Sequence, residues 1–203
     1  MLLRQVPGAG RALLMTPASA HDRYHAPMTA PMFSAQLYFD ALAMAEAAIG
    51  RGGILTAIVP ANFASLYGSH ATHQLMLARP FPVPPANGAP GARSCAFLVH
   101  YPGRPENLND WLSHYLAHHP PIMATFPAIR EIEVCTRMDW VDAAPWERVT
   151  HFQRNKIVFD HAGALEAALN SPVRDLMKQD FDAFPAFTGG SVHVPMACEV
   201  ILG

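Results

Sequence analysis

Trp111, Tyr115 and His119 recur every fourth residue, which places them on one face of any helix that contains them. A neutral imidazole at His119, turned between that helix and a sheet, is suited to take a proton from an activated carbon. Tyr115 would orient the substrate carbonyl or hydroxyl and Trp111 would line the pocket. The same pattern also describes a buried histidine whose ring nitrogens are satisfied by backbone, with Pro120-Pro121 closing the helix. His151 and His193 fall in predicted strands and are candidate substrate-binding residues; His73 is also in a predicted strand, and alternation does not say which way any of them points. His114 and His118 are spaced i, i+4 and could ligate a metal. No Glu lies between them and no third ligand follows at a telling spacing, so they read as solvated helix histidines and no metal is expected. Glu46 and Glu166 read as residues of a solvated helix face. Gly50-Arg51-Gly52-Gly53 follows a helix and does not open one after a strand, and no GxSxG elbow occurs. No cofactor is expected.

These side chains need elements to hold them. Ser94–Tyr101 is a continuous apolar run, as in a strand at a sheet centre. Residues 107–124 read as a helix capped by Asn107 or Asn109. Ile129–Arg137 alternates, with Ile132 and Val134 expected inward and Glu131 and Glu133 outward. Val149–Phe159 is the next strand, Asp160 the expected cap of a short helix, and an aromatic loop with Phe181, Phe184 and Phe187 leads to a closing strand near 191–202. The order is βαββαβ, a ferredoxin-like unit of the α+β class.

The first part of the chain repeats the second. Phe39-Asp40 and the helix after it match Phe159-Asp160 and its helix at an offset of 120 residues, and the same offset takes Pro7 to Pro127, Tyr67 to Phe187, His73 to His193 and Met76 to Met196. The expected organisation is a partial first copy over 1–80, a Pro/Gly-rich linker over 81–93, and a complete second copy over 94–203. Pro17–Pro31 reads as a long loop in copy one, and 70–79 as its closing strand. At this offset Met1 stands opposite Pro121, so copy one lacks counterparts of the first strand and most of the first helix. The preferred expectation is a native start upstream of Met1. Pairing of the closing strand with the other copy, or a second chain filling the gap, are the alternatives.

Tyr101-Pro102-Gly103-Arg104, His114 to Pro121 and Phe126-Pro127 together resemble the EthD family of dimeric α/β-barrel proteins. The family pattern is a Tyr, a His four residues on, a Pro two further, and Pro-Gly opening the next strand. Here these positions are Tyr115, His119, Pro121 and Pro127, with Ala128 where glycine is usual; copy one keeps Pro7-Gly8. The resemblance implies a barrel of two ferredoxin-like sheets, here formed by tandem copies. It also implies cofactor-independent action on small aromatic or polyketide-like molecules, with His119 as general base or acid.

Composition excludes several classes. The net charge of −2 leaves no positive excess for a phosphate backbone, so nucleic acid is not an expected partner. No apolar run approaches the roughly 20 residues of a membrane span, and Cys95, Cys135 and Cys198 are too few and too scattered for a disulfide scaffold. A cytoplasmic location is expected. The expected partner is a small apolar or aromatic molecule, with homodimerisation through exposed strand edges. The reaction expected is isomerisation, cyclisation, decarboxylation or an oxidative step; the rival is a non-catalytic accessory protein.

Overall fold

In the computed structural model, which describes residues 2–25 and 29–203, the elements follow in the order β1 (Ala9–Pro17), β2 (Ser34–Phe39), α1 (Leu42–Ile49), β3 (Thr72–His73), β4 (Met76–Phe81), β5 (Arg93–Tyr101), α2 (Leu108–Met123), β6 (Glu131–Arg137), β7 (Glu147–Arg148), β8 (Gln153–Phe159), α3 (Ala162–Leu169), α4 (Val173–Asp182) and β9 (Val192–Leu202). Seven strands form one antiparallel sheet in the order β2-β1-β9-β5-β8-β6-β4, while the two-residue β3 and β7 pair separately in parallel. The run β9-β5-β8-β6 has the order of a ferredoxin-like βαββαβ unit, with its first strand, β5, between the last and the third. The fold is α+β, as expected. Of the loop expected over 17–31, residues 26–28 lie outside the described ones. No helix among the described residues is long and apolar enough to cross a membrane.

β5 is apolar from Cys95 to Val99 because both faces are covered there. Cys95, Phe97, Val99 and Tyr101 join the cluster under α2, α3 and α4, whereas Ala96 and Leu98 join Leu13, Met15, Val158 and Met196 on the other face. This two-sided burial corrects the expectation for β6. Glu133 is buried and Glu131 half-buried: both point to the second apolar face, where the fully buried Lys156 of β8 reaches Glu131 at 2.8 Å and Glu133 at 3.1 Å. Period-two alternation marks sides of a sheet and cannot say which side is wet; buried charges are tolerated here because they are paired.

Two seams join the parts of the chain. β1 pairs with β9 from Pro17↔Met196 through Leu13↔Val200, and β6 pairs with β4 from Arg137↔Met76 through Glu133↔Pro80. Shifting each residue of one seam by 120 positions yields the other. Arg11 of β1 reaches Glu131 of β6 in a two-pronged ion pair, with N–O distances of 2.9 and 3.3 Å.

Two local expectations change. Asp160 does not cap α3: His161 Nδ1 accepts from the Ala164 amide at 3.1 Å, while Asp160 takes a bidentate contact from Arg130. The helix starts one residue later than the Phe-Asp pair suggests, and the carboxylate finds a guanidinium instead. The segment read as an aromatic loop contains the ten-residue α4, whose Arg174 and Met177 turn inward. Glu46 and Glu166 stay on the surface, as expected, and also anchor loops, Glu46 accepting from the Val141 amide at 2.8 Å and Glu166 from the His21 amide at 3.4 Å.

Candidate functional site

A cavity of about 60 Å³ lies between the helix-facing side of β5 and β8 and the layer made by α2 and α4. His119 comes from α2, Arg174 and Phe181 from α4, Tyr101 from β5, and His193 from β9; His25 reaches it from the loop after β1. Such a volume holds roughly two waters at about 30 Å³ each.

α2 starts where Asn107 accepts hydrogen bonds from the amides of Asn109 and Asp110, and this cap sets the rotation of the helix. His119 is buried, and its Nδ1 lies 2.6 Å from Oδ2 of Asp180 on α4. Burial lowers the His119 pKa below the ordinary histidine value against the opposing pull of Asp180, so the ring is neutral near pH 7. Burial acts to raise Asp180, yet the contacts from His119 and His114 prevail and hold its carboxyl below the usual range. With Nδ1 engaged, Nε2 is the nitrogen left to exchange a proton with a bound molecule.

Tyr115 and Trp111 share the predicted face but do not line the cavity. Both are fully buried, with rings stacked at 4.9 Å, and Phe184 and Phe187 cover Trp111 at 5.3 and 5.9 Å. The Tyr115 hydroxyl accepts from Asn155 Nδ2 at 2.6 Å, and burial drives its pKa far above the ordinary value, so it stays protonated. Its ring lies 4.8 Å from that of His119, so it positions the imidazole from behind. The expectation that Trp111 binds substrate directly is therefore corrected: i, i+4, i+8 spacing places three side chains on one face, and the segment after α4 closes over the first two.

His193 lines the cavity. Its Nδ1 lies 3.4 Å from Asp22, whose carboxylate takes a bidentate contact from the buried Arg174 at 2.9 and 3.0 Å. Burial tends to raise the Asp22 pKa, but His193 and Arg174 overcome it and depress it strongly. The His25 ring is 3.7 Å from that of His193, and burial with that neighbour pushes His25 down to about 4. His151 is elsewhere: its ring lies 5.1 Å from His100 and its carbonyl accepts from Gln74, so it is not part of this cavity. Sequence reasoning missed Asp180, Asp22, His25 and Arg174. The spacing of Arg174, Met177 and Phe181 is helical and offered a signal for α4. Asp22 and His25 sit in a loop without periodicity and offered none.

A similar His–Asp pair occurs outside this cavity. His73 Nε2 lies 3.4 Å from Asp142, and Trp140 and Trp146 stand edge-on to the His73 ring.

No family model matches the chain, and no curated protein matches it. Two solved structures resemble it. One is an ethyl tert-butyl ether D (EthD) family protein from Bacillus halodurans, 16% identical, with a TM-score of 0.41, over 50% of this chain and 95% of that one. The other is a protein described as a candidate monooxygenase from Lactobacillus acidophilus, 11% identical, with a TM-score of 0.42, over 98% of this chain and 81% of that one. The likeness is one of architecture and assigns no residue a role.

Proposed function

We propose that this is an EthD-like protein that binds a small apolar or aromatic compound between α2, α4 and the sheet, and that His119 exchanges a proton with it without a cofactor. The observation that carries this reading is the buried His119, held at Nδ1 by Asp180 while its ring lines a cavity with Tyr101 and Phe181. Met123 and Met177 border the same space, and their unbranched side chains can adjust to a ligand larger than the resting volume. A panel of substituted phenols and aryl ketones, screened by thermal shift, tests it. A binder should stabilise the wild type and His118→Ala but not His119→Ala, by mass action. Equal shifts in all three would remove His119 from the site.

A non-catalytic accessory role is the second reading. The dense packing of Trp111 and Tyr115 favours it, since these rings fill the space on their own side of His119 and leave the cavity small. Turnover of any binder by the wild type and not by His119→Ala would reject it.

We infer further that residues 1–80 and 94–203 are two copies of one unit, the first lacking counterparts of β5 and α2 within this sequence. Three sets of contacts support this reading through the offset of 120: the two seams, the loop anchors at Glu46 and Glu166, and the pairs His193–Asp22 and His73–Asp142. In the order of such a unit the absent strand would stand between the free edges of β2 and β4. Those edges are where a second chain would pair.

A further inference from the structure

α2 presents His114 and His118 one turn apart, with ring centroids 4.4 Å from each other, and α4 sets Asp180 against them. One donor atom from each of the three lies within 4.8 Å of the other two. Four details distinguish this group from a chance meeting of polar side chains. His114 Nε2 is buried without a hydrogen-bond partner, although Asp180 Oδ1 is 3.3 Å away. Two ligands at about 2.0–2.1 Å from a tetrahedral ion stand about 3.3 Å apart. The His118 Nδ1 lies 2.8 Å from the His114 carbonyl oxygen, which only accepts, so Nδ1 carries the proton and Nε2 the lone pair. The other oxygen of Asp180 is held by His119, the kind of outer contact that orients a ligating carboxylate. Among the described residues, Asp180 is in ion-pair contact only with His114 and His119, so no fixed cation occupies it.

We propose that His114, His118 and Asp180 bind a divalent first-row transition cation of the zinc class, with water completing the coordination on the exposed His118 side. Two imidazoles and one carboxylate suit such ions, and an open position is typical of sites that are not purely structural. The sequence contained the i, i+4 histidine pair but hid the third ligand, which comes from α4 some sixty positions away. Asp22, His25 and His193 also lie within ligand reach of one another, but Arg174 already holds both oxygens of Asp22. A cation there must displace a buried guanidinium.

The test is a titration of the chelator-stripped full chain with Co²⁺, followed by visible absorption. One equivalent should bind with the intense bands of four- or five-coordinate cobalt, and Zn²⁺ should bleach them. His118→Ala, an exposed position, should weaken binding at least tenfold with unchanged circular dichroism. Asp180→Asn should do the same, and the double variant His25→Ala/His193→Ala should bind as the wild type does. A spectrum of hexa-aqua cobalt in the wild type, full binding by His118→Ala, or loss of binding in the His25/His193 variant would each overturn the proposal.

Discussion

Arg11 and Glu131, 120 positions apart, face one another in a two-pronged ion pair while Glu131 also receives Lys156 at 2.8 Å. If the two parts of the chain are copies, each of these residues meets its own counterpart. In two identical chains such a contact would oppose like charges; within one chain the positions are free to differ. The pair is unequal in burial. Arg11 retains 33% of its side-chain exposure, whereas Lys156 retains none. Arg11→Gln should therefore cost about 1 kcal/mol or less, as for a partly solvated pair. Lys156→Met leaves the buried Glu133 without its cation, while the partly buried Glu131 keeps Arg11, and should cost about 3–5 kcal/mol. Urea denaturation of both variants checks the order, and a larger loss for Arg11→Gln would refute it.

Acidification should destabilise the fold in a defined window. Burial, the main cause, holds His25 at about 4 and His100 at about 3, both below their ordinary unfolded value of about 6.5. Between those values the unfolded chain binds more protons, so stability is full above about pH 6.5 and declines as pH falls. Asp22, depressed by His193 and Arg174 despite its burial, adds a further loss below about pH 4, its unfolded value. His100→Phe should flatten the fall between pH 6.5 and 4 in a series of urea midpoints. An unchanged slope would mean that His100 does not contribute.

Ala128 is the only non-glycine residue with positive φ, at 59°, among the described residues, and Gly8, just before β1, has a positive φ of 78°. A side chain in the left-handed region costs about 1–2 kcal/mol, while glycine costs about 0.5–1 kcal/mol in unfolded-state entropy. Ala128→Gly should stabilise by up to about 1 kcal/mol, read as a rise in thermal midpoint. The reverse change, Gly8→Ala, should lower it. A fall in the midpoint of Ala128→Gly would contradict the strain argument.

Trp111 is fully buried among Tyr101, Tyr115 and Phe152. Its role as core, set against the sequence reading of a substrate contact, predicts a loss of about 3–5 kcal/mol for Trp111→Ala. A loss below about 1 kcal/mol would argue for a ligand-facing ring.

Glu46 and Glu166 hold loop amides on the surface, where single hydrogen bonds contribute little to global stability. Glu46→Ala should raise hydrogen exchange at Val141 at least severalfold while moving the thermal midpoint by about a degree or two. Unchanged exchange at Val141 would show that the loop is held by other contacts.

Local pattern by itself determined the βαββαβ order of the second part, the extent of α2 and the face that carries His119. Those features follow from apolar periodicity, an Asn cap and i, i+4 spacing, which the chain expresses over a few turns. The residue matches at an offset of 120 are visible in the sequence, since they need only a comparison of the chain with itself. Tertiary structure alone decided which side of β6 is buried, because a covered face and a wet face alternate alike in sequence. It alone brought Asp180 to His119 and Asp22 to His193, and it alone closed Trp111 and Tyr115 away from the cavity. Each of these contacts joins elements far apart along the chain, and no local preference encodes such a distance.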